Sequence, residues 1–434
     1  MRTAACTHTH PDGPPAADAG PADRPGVGGG GSAAASGVQD GCPGEQSGQT
    51  SRITPRRGSL LRVEDARATG PAGTRLAGLD ALRGLAIALV MLTHASSARF
   101  GSAGLVGVTL FFTLSGYLIT GLLQRDLDRY GRVQFGRFYA ARALRLLPPL
   151  LLVLAGYVVV EGLLGVLGRQ DQVGLTLLAA LTYTSNLPYL PHGSGSFFHL
   201  WTLATEEQFY LLWPLLLGLA WRRGAARLVI GLGVAGSLLA CAATIAYQWP
   251  DVERVYPLPT SWSVALFLGC ALRLGQARAQ RLLPASPAAR RWIAGGILAL
   301  FAAAALTPSI GASPAMYLLV VPAVAVASAV LVLLAADSTR LAARGPVRLL
   351  VALGTVSYAA YLWNLPIQQW LGDPGTLGAG LLGAALTLLA ATVSWWLVER
   401  PAAALRRRLQ HGTSPVPHPG RPSLAPAPGP AVPS

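Results

Sequence analysis

The chain has 434 residues, 52% of them apolar and only 12% charged, with a mean hydropathy of +0.45 and a formal net charge of +15. Soluble domains carry about 25% charged residues, so this composition excludes an ordinary water-soluble enzyme. All 34 basic residues are Arg, and they fall between apolar runs instead of on one polar domain. That distribution speaks for membrane orientation and against nucleic acid as a partner.

The chain opens on a low-complexity stretch. Residues 1–74 are rich in Gly, Ala, Pro and Ser, with an unbroken glycine run from Gly28 to Gly31, and are expected to form a disordered tail. They hold no apolar core of a signal peptide, so the start is expected to stay in the cytosol. Residues 75–409 read as one membrane domain, and residues 410–434 as a second disordered, Pro-rich tail. Cys6 and Cys42 lie in the first tail and Cys241 and Cys270 in apolar runs; no CxxC or Cys/His cluster occurs, so neither a disulfide framework nor a metal site is expected.

Apolar runs that approach the ~20 residues of a membrane crossing occur at about 84–98, 104–124, 144–167, 205–221, 227–248, 260–275, 292–306, 316–336, 349–371 and 376–398. The fold class is therefore all-α, a polytopic membrane bundle of about ten transmembrane helices. The second connection holds Arg125, Arg129, Arg132, Arg137, Arg142 and Arg145. The fourth holds Arg222, Arg223 and Arg227, and the sixth Arg273, Arg278, Arg281, Arg290 and Arg291. Arg340, Arg344 and Arg348 fill the eighth, and Arg406, Arg407 and Arg408 follow the last run, whereas the alternate connections hold only Arg99, Arg169 and Arg254. This alternation predicts ten spans with both termini cytosolic. One shorter stretch, Leu175 to Leu187, contains Asn186 and is followed by Pro188 and Pro191; it reads as a re-entrant or outer-face element that does not cross.

Three constellations carry chemistry. Arg83 opens the first run and His94 follows eleven residues later, about 16 Å deeper at 1.5 Å per residue and so near the midplane. An ionisable group at that depth marks a pathway or a reaction centre, unless it is a buried histidine bonded to a neighbouring helix. Arg142 and Arg145, at i and i+3, put two guanidinium forks on one helix face, which suits a phosphate-bearing ligand and equally suits positive-inside anchoring. The segment His199-Leu-Trp-Thr-Leu-Ala-Thr-Glu-Glu-Gln-Phe-Tyr-Leu-Leu-Trp-Pro214 sets Glu206 and Glu207 at the mouth of a span. One of them is placed to orient or deprotonate a polar substrate beside His94; the other reading is a solvated helix start with Trp201, Tyr210 and Trp213 as interfacial belt residues.

Taken together, several segments resemble the acyltransferase 3 family of integral membrane acyltransferases. They are Leu79-Asp80-Ala-Leu-Arg83-Gly84, the Arg83-x10-His94 spacing, Leu110-Phe-Phe-Thr-Leu-Ser115-Gly116, Arg142-x-x-Arg145, Trp201-Thr-Leu-Ala-Thr-Glu206-Glu-Gln208-Phe-Tyr210, Ser357-Tyr-Ala-Ala-Tyr361-Leu-Trp and Glu399-Arg-Pro401. Each alone is weak, but their joint occurrence in this order over residues 78–401 is not.

The resemblance implies a multi-pass enzyme of the bacterial cytoplasmic membrane. It would transfer an acyl group, acetyl foremost, from acyl-CoA as co-substrate to a hydroxyl of a sugar in an envelope glycan, glycolipid or glycosylated natural product. His94 and Glu206 would be catalytic, and Arg83, Arg142 and Arg145 would hold the CoA. Ser115, Trp201, Gln208, Tyr361 and Asn364 would meet the substrate, and no permanent cofactor is implied. Where family members carry Trp-His-x-Pro, this chain has Trp363-Asn364-Leu-Pro366, and an amide cannot act as a base. Asp80 caps the first helix or pairs with Arg83, Ser115-Gly116 interrupts the second span to let helices approach, and Glu399 reads as the ion-pair partner of Arg400. The residues after Pro401 are too few for the fused soluble domain of some relatives, so a stand-alone unit is expected. The competing readings are a transporter or flippase for an acyl group or glycolipid, and a degenerate, non-catalytic relative.

Overall fold

A computed structural model describes residues 77–187, 190, 193–308, 311–336, 345–372 and 376–411. The two expected tails, apart from the helical end at 411, lie outside the described residues, as do Pro188, Pro191, Arg340 and Arg344. The described residues form α-helices with π-helical and 3-10 turns between or within them. In chain order the helices are α1 Ala77–Ala95, α2 Ser97–Tyr130, α3 Phe135–Tyr157, α4 Val173–Thr182, α5 Leu200–Arg222, α6 Ala226–Gln248 and α7 Pro259–Leu282. They continue with α8 Pro287–Ala305, α9 Val321–Ala336, α10 Pro346–Thr355, α11 Ser357–Trp370, α12 Leu377–Ser394 and α13 Arg400–His411.

Local chemistry sets several boundaries. Gly131 closes α2 at φ +65°, its N–H reaching Leu127 O at 2.9 Å, a left-handed turn that a side chain would strain. Ser286 accepts from Ala289 N ahead of α8 with Pro287 in its first turn, and Thr376 accepts from Ala379 N ahead of α12.

Seven helices among the described residues are long and apolar enough to cross a membrane, or eight if the bent pair α10–α11 counts as one span. The protein is a multi-pass integral membrane protein. Each of the ten expected runs corresponds to a helix or to that pair. The two outside the apolar set are α5 and α7, which have the length, 23 and 24 residues, but carry more polar side chains. Thr202, Thr205, Glu206, Glu207 and Gln208 lie on α5, and Ser261, Ser263, Arg273 and Gln276 on α7. α4 has only 10 residues, short of a crossing, in line with the non-spanning element expected there.

Burial separates a hub from a rim. The apolar window of α2 is 72% buried inside the protein and that of α8 only 11%, so α2 is central and α8 faces outward. Leu211, Leu212, Leu215, Leu228, Leu232, Leu239, Leu381 and Leu389 are exposed on α5, α6 and α12, which is the surface hydrocarbon would cover.

Close backbone approach holds the hub together. A Cβ on Gly116 would lie 2.0 Å from Leu266 O of α7, and one on Gly269 would lie 2.1 Å from Thr113 O of α2. Small residues thus face each other across the α2–α7 crossing, where van der Waals contact supplies the association that lipid does not. The expected interruption at Ser115-Gly116 does not occur: α2 runs through it, and its non-helical residue is Phe100. Gly116→Val is expected to force the two backbones apart and to destabilise the protein by about 3 kcal/mol. Thermal denaturation followed by detergent size-exclusion chromatography reads that loss.

The apolar run 349–371 is bent by 78° between α10 and α11. Gly354 lies so close to α1 that a Cβ would stand 1.9 Å from Asp80 O, and Ser357 Oγ donates to Gly354 O at 2.9 Å. α10 is thus pinned on α1 while α11 turns away and brings its first turn into the interior.

Candidate active site

Successive residues of an α-helix point about 100° apart, so Glu206 and Glu207 of α5 face different neighbours. Glu206 Oε1 accepts from Ser115 Oγ of α2 at 2.7 Å. Glu207 takes Arg142 of α3, whose Nε donates to Oε2 at 2.9 Å and whose Nη2 donates to Oε1. The Arg142 guanidinium also lies 3.4 Å from the centre of the Tyr210 ring. Charge pairing and the ring face together commit Arg142 to one position.

These groups border a cavity of about 120 Å³ whose wall includes Arg83, Ser115, Arg142, Arg145, Glu206 and Tyr361. Ser357 and Tyr358, from the first turn of α11, line it as well, so the bend of α10–α11 adds the N-terminal end of a helix to its wall. Ile119, Arg142 and Arg145 also border a second cavity of about 580 Å³. Its wall carries Arg125, Arg129, Arg137 and Arg406 and one carboxylate, Asp126, which Arg137 pairs. Arg145 is exposed and forms no salt bridge among the described residues, while Arg83 stands 3.8 Å from Asp80 as the i, i+3 spacing predicts.

His94 is not part of that wall. It occupies the last turn of α1, partly buried, with Nδ1 2.5 Å from Asn364 Oδ1 of α11. Tyr361 precedes Asn364 by one turn on the same face of α11, so the pair lies about 4.5 Å along the helix axis beyond the cavity wall. α1 begins at Ala77 and runs unbroken to Ala95, so Arg83 sits inside the helix and His94 follows it about 16 Å further along the same axis, near the helix end.

Other expected site residues stand apart from the cavity. Trp201 packs into an aromatic cluster with Phe112, Tyr256 and Trp262. Gln208 exchanges amide hydrogen bonds with Asn186 at 2.9 Å in both directions and so docks the loop after α4 onto α5. Glu399 does not pair with Arg400: the guanidinium lies 4.4 Å from the centre of the Trp396 ring, and Glu399 Oε1 is buried without a hydrogen-bond partner among the described residues.

Sequence reasoning missed several groups. Tyr210 follows Glu206 by four residues and so shares its face, a spacing that signals its presence in the wall. His199 is buried with both ring nitrogens lacking hydrogen-bond partners among the described residues, its ring centre 5.1 Å from that of Tyr361. Tyr361 Oη in turn donates to the His199 carbonyl at 2.7 Å and bonds Thr202. No periodicity marked His199, because its position ahead of α5 depends on the turn Gly195–Phe197.

The acyltransferase domain model of the acyltransferase 3 family matches residues 76–400. The chain belongs to the acyltransferase 3 family. Among curated proteins it is similar to YrhL of Bacillus subtilis, described as a peptidoglycan O-acetyltransferase by name only, 31% identical over 359 residues, covering 75% of this chain and 54% of that one. The peptidoglycan O-acetyltransferase OatA of Listeria monocytogenes is 29% identical over 352 residues, covering 74% of this chain and 55% of that one. The O-acetyltransferase OatA of Staphylococcus aureus is 33% identical over 211 residues, covering 45% and 34%. The chain thus spans about half the length, or less, of the curated relatives it matches. No solved structure matches.

Proposed function

We propose that this acyltransferase 3 protein transfers an acetyl group from acetyl-CoA to a sugar hydroxyl of a cell-envelope glycan, across or within the bacterial cytoplasmic membrane. The observation that carries the reading is a cavity where Arg83, Arg142, Arg145, Ser115 and Glu206 meet, two of whose arginines, Arg142 and Arg145, also border a second, arginine-lined space. Acetyl as the group and a glycan as the acceptor follow the O-acetyltransferase names of the relatives, one of them a peptidoglycan enzyme.

In this reading the phosphates of acetyl-CoA enter from the arginine-lined side, and Arg145, exposed and without a salt bridge among the described residues, binds them together with Arg83. Arg142, held by Glu207, supplies fixed positive charge in the wall instead of a mobile fork. Oε2 of Glu206 accepts from a neighbouring hydroxyl of the acceptor sugar and so orients the attacking one. His94 takes the hydroxyl proton as the sugar oxygen attacks the thioester carbonyl carbon. The C–S bond breaks, the CoA thiolate leaves and regains that proton from the imidazolium, and the products are the O-acetyl sugar and CoA thiol. An unperturbed imidazole, with a pKa of about 6.5, holds a free nitrogen at cellular pH.

Purified protein in detergent is expected to release CoA slowly from acetyl-CoA and faster when glycan fragments are added. The Arg83→Ala/Arg145→Ala double variant is expected to raise KM for acetyl-CoA about 10–100-fold, the loss of charge-assisted hydrogen bonds of about 1.5–3 kcal/mol. Detergent removes compartments, so turnover there rejects pure transport. A folded wild type that releases no CoA with envelope glycan present moves the assignment to a transporter or a non-catalytic relative.

A further inference from the structure

Three helices converge on His94. On α12, Gly380, Gly383 and Thr387 follow one face at i, i+3 and i+7. A Cβ on Gly380 would stand 1.9 Å from the carbonyl oxygen of Ala95, the residue after His94, and one on Gly383 would stand 2.4 Å from the Gln368 amide of α11. Gln368 Nε2 donates to Gly380 O at 3.0 Å. The α12 backbone is therefore clamped against the end of α1 and against α11, and Thr387 and Asn364, both fully buried, meet behind His94.

The hydrogen bonds in this clamp leave one consistent assignment of protons. Thr387 Oγ1 lies 2.8 Å from Gly383 O, a carbonyl that only accepts, so the single hydroxyl proton points there. With that proton used, Thr387 Oγ1 meets Asn364 at 3.4 Å as an acceptor, and only Nδ2 of the amide can donate to it. Oδ1 of Asn364 is thereby turned toward His94, 2.5 Å from Nδ1. An amide oxygen is only an acceptor, so Nδ1 must carry the proton. The neutral ring then holds its lone pair on Nε2.

We infer that Asn364 is a positioning residue which, backed by Thr387, locks His94 in the tautomer with the proton on Nδ1 and the basic lone pair on Nε2. This rests on the reading of His94 as the base of the proposed transfer, and it moves Asn364 from substrate contact to ring orientation. A residue that bonds the second ring nitrogen fixes both tautomer and direction of the first. Asn364 does so while neutral, so it holds the ring without drawing a proton from it. The departure from Trp-His-x-Pro at this place thus keeps a hydrogen-bond partner for His94.

The test has one arm that does not depend on activity. Nitrogen-15 NMR of histidine-labelled full-length protein in lipid, with His94→Ala identifying the signal, is expected to show a protonated Nδ1 and an unprotonated Nε2. In Asn364→Leu the signal is expected to become a mixture of tautomers. In CoA-release and glycan-acetylation assays, Asn364→Leu is expected to lower kcat about 100-fold with KM for acetyl-CoA within about twofold. Thr387→Val, which frees the amide to flip, is expected to lower kcat about 10-fold. Asn364→Asp, which keeps an acceptor toward Nδ1, is expected to restore kcat to within about 10-fold of wild type. A wild-type proton on Nε2, or a tautomer signal unchanged in Asn364→Leu, overturns the inference whatever the activity. Wild-type kcat in Asn364→Leu, alongside an inactive His94→Ala, overturns it while leaving the transferase reading intact. A wild type without transferase activity overturns that reading and leaves the tautomer to the NMR arm.

Discussion

His94→Ala is expected to lower acetyl transfer about 10²–10⁴-fold, the usual contribution of a positioned general base. The protein should remain folded in detergent. Removing the imidazole leaves Asn364 Oδ1 buried without its partner, a cost of about 1–3 kcal/mol. That cost falls on one hydrogen bond at the end of α1, whereas the hub is held by the α1–α10 and α2–α7 backbone contacts at Gly84, Gly354, Gly116 and Gly269. The measurement is glycan acetylation in membranes and CoA release in detergent, with the amount and thermal stability of the variant compared with wild type. Retention of more than a tenth of wild-type transfer would remove His94 from the base role. Binding of acetyl-CoA should be spared, because the arginines proposed to meet its phosphates lie elsewhere, around the cavity wall.

Glu207→Ala is expected to be the most destabilising single charge removal in the site, by about 3 kcal/mol. It leaves the Arg142 guanidinium against the Tyr210 ring without its paired carboxylate, at a position where the side chain is only 14% exposed. Arg142→Leu/Glu207→Leu removes both charges and is expected to be closer to wild type in stability than Glu207→Ala, because the desolvated charge is gone. Thermal denaturation of Arg142→Leu, Glu207→Leu and the double variant gives the coupling between the residues. Additive effects would mean that the pair is not the partnership the geometry indicates. The double variant should also show weaker acetyl-CoA binding, since it removes a fixed positive charge from the cavity wall.

Much of the fold is legible in the residues themselves. The apolar runs, their lengths and the alternating arginines predict an all-helical membrane bundle, and each run does become a helix or a bent pair. The motif residues Arg83, Ser115, Arg142, Arg145, Glu206 and Tyr361 converge on one cavity. Trp201 and Gln208 share the same motif as Glu206, yet they face an aromatic cluster and the Asn186 loop. Motif membership reports that a residue matters without reporting which side of the helix meets the ligand.

The sequence alone determined the class of the protein, the order of its apolar helical runs and the inventory of ionisable groups within them, because hydrophobicity, periodicity and charge are local properties. Tertiary structure decided which partner each group takes. Glu206 goes to Ser115, 91 positions away, and His94 goes to Asn364, 270 positions away. Those choices depend on how closely backbones pass at Gly84, Gly354, Gly380 and Gly383, and on the 78° bend before α11. A glycine in an apolar run permits close approach, but only the packed neighbours determine which helix comes near.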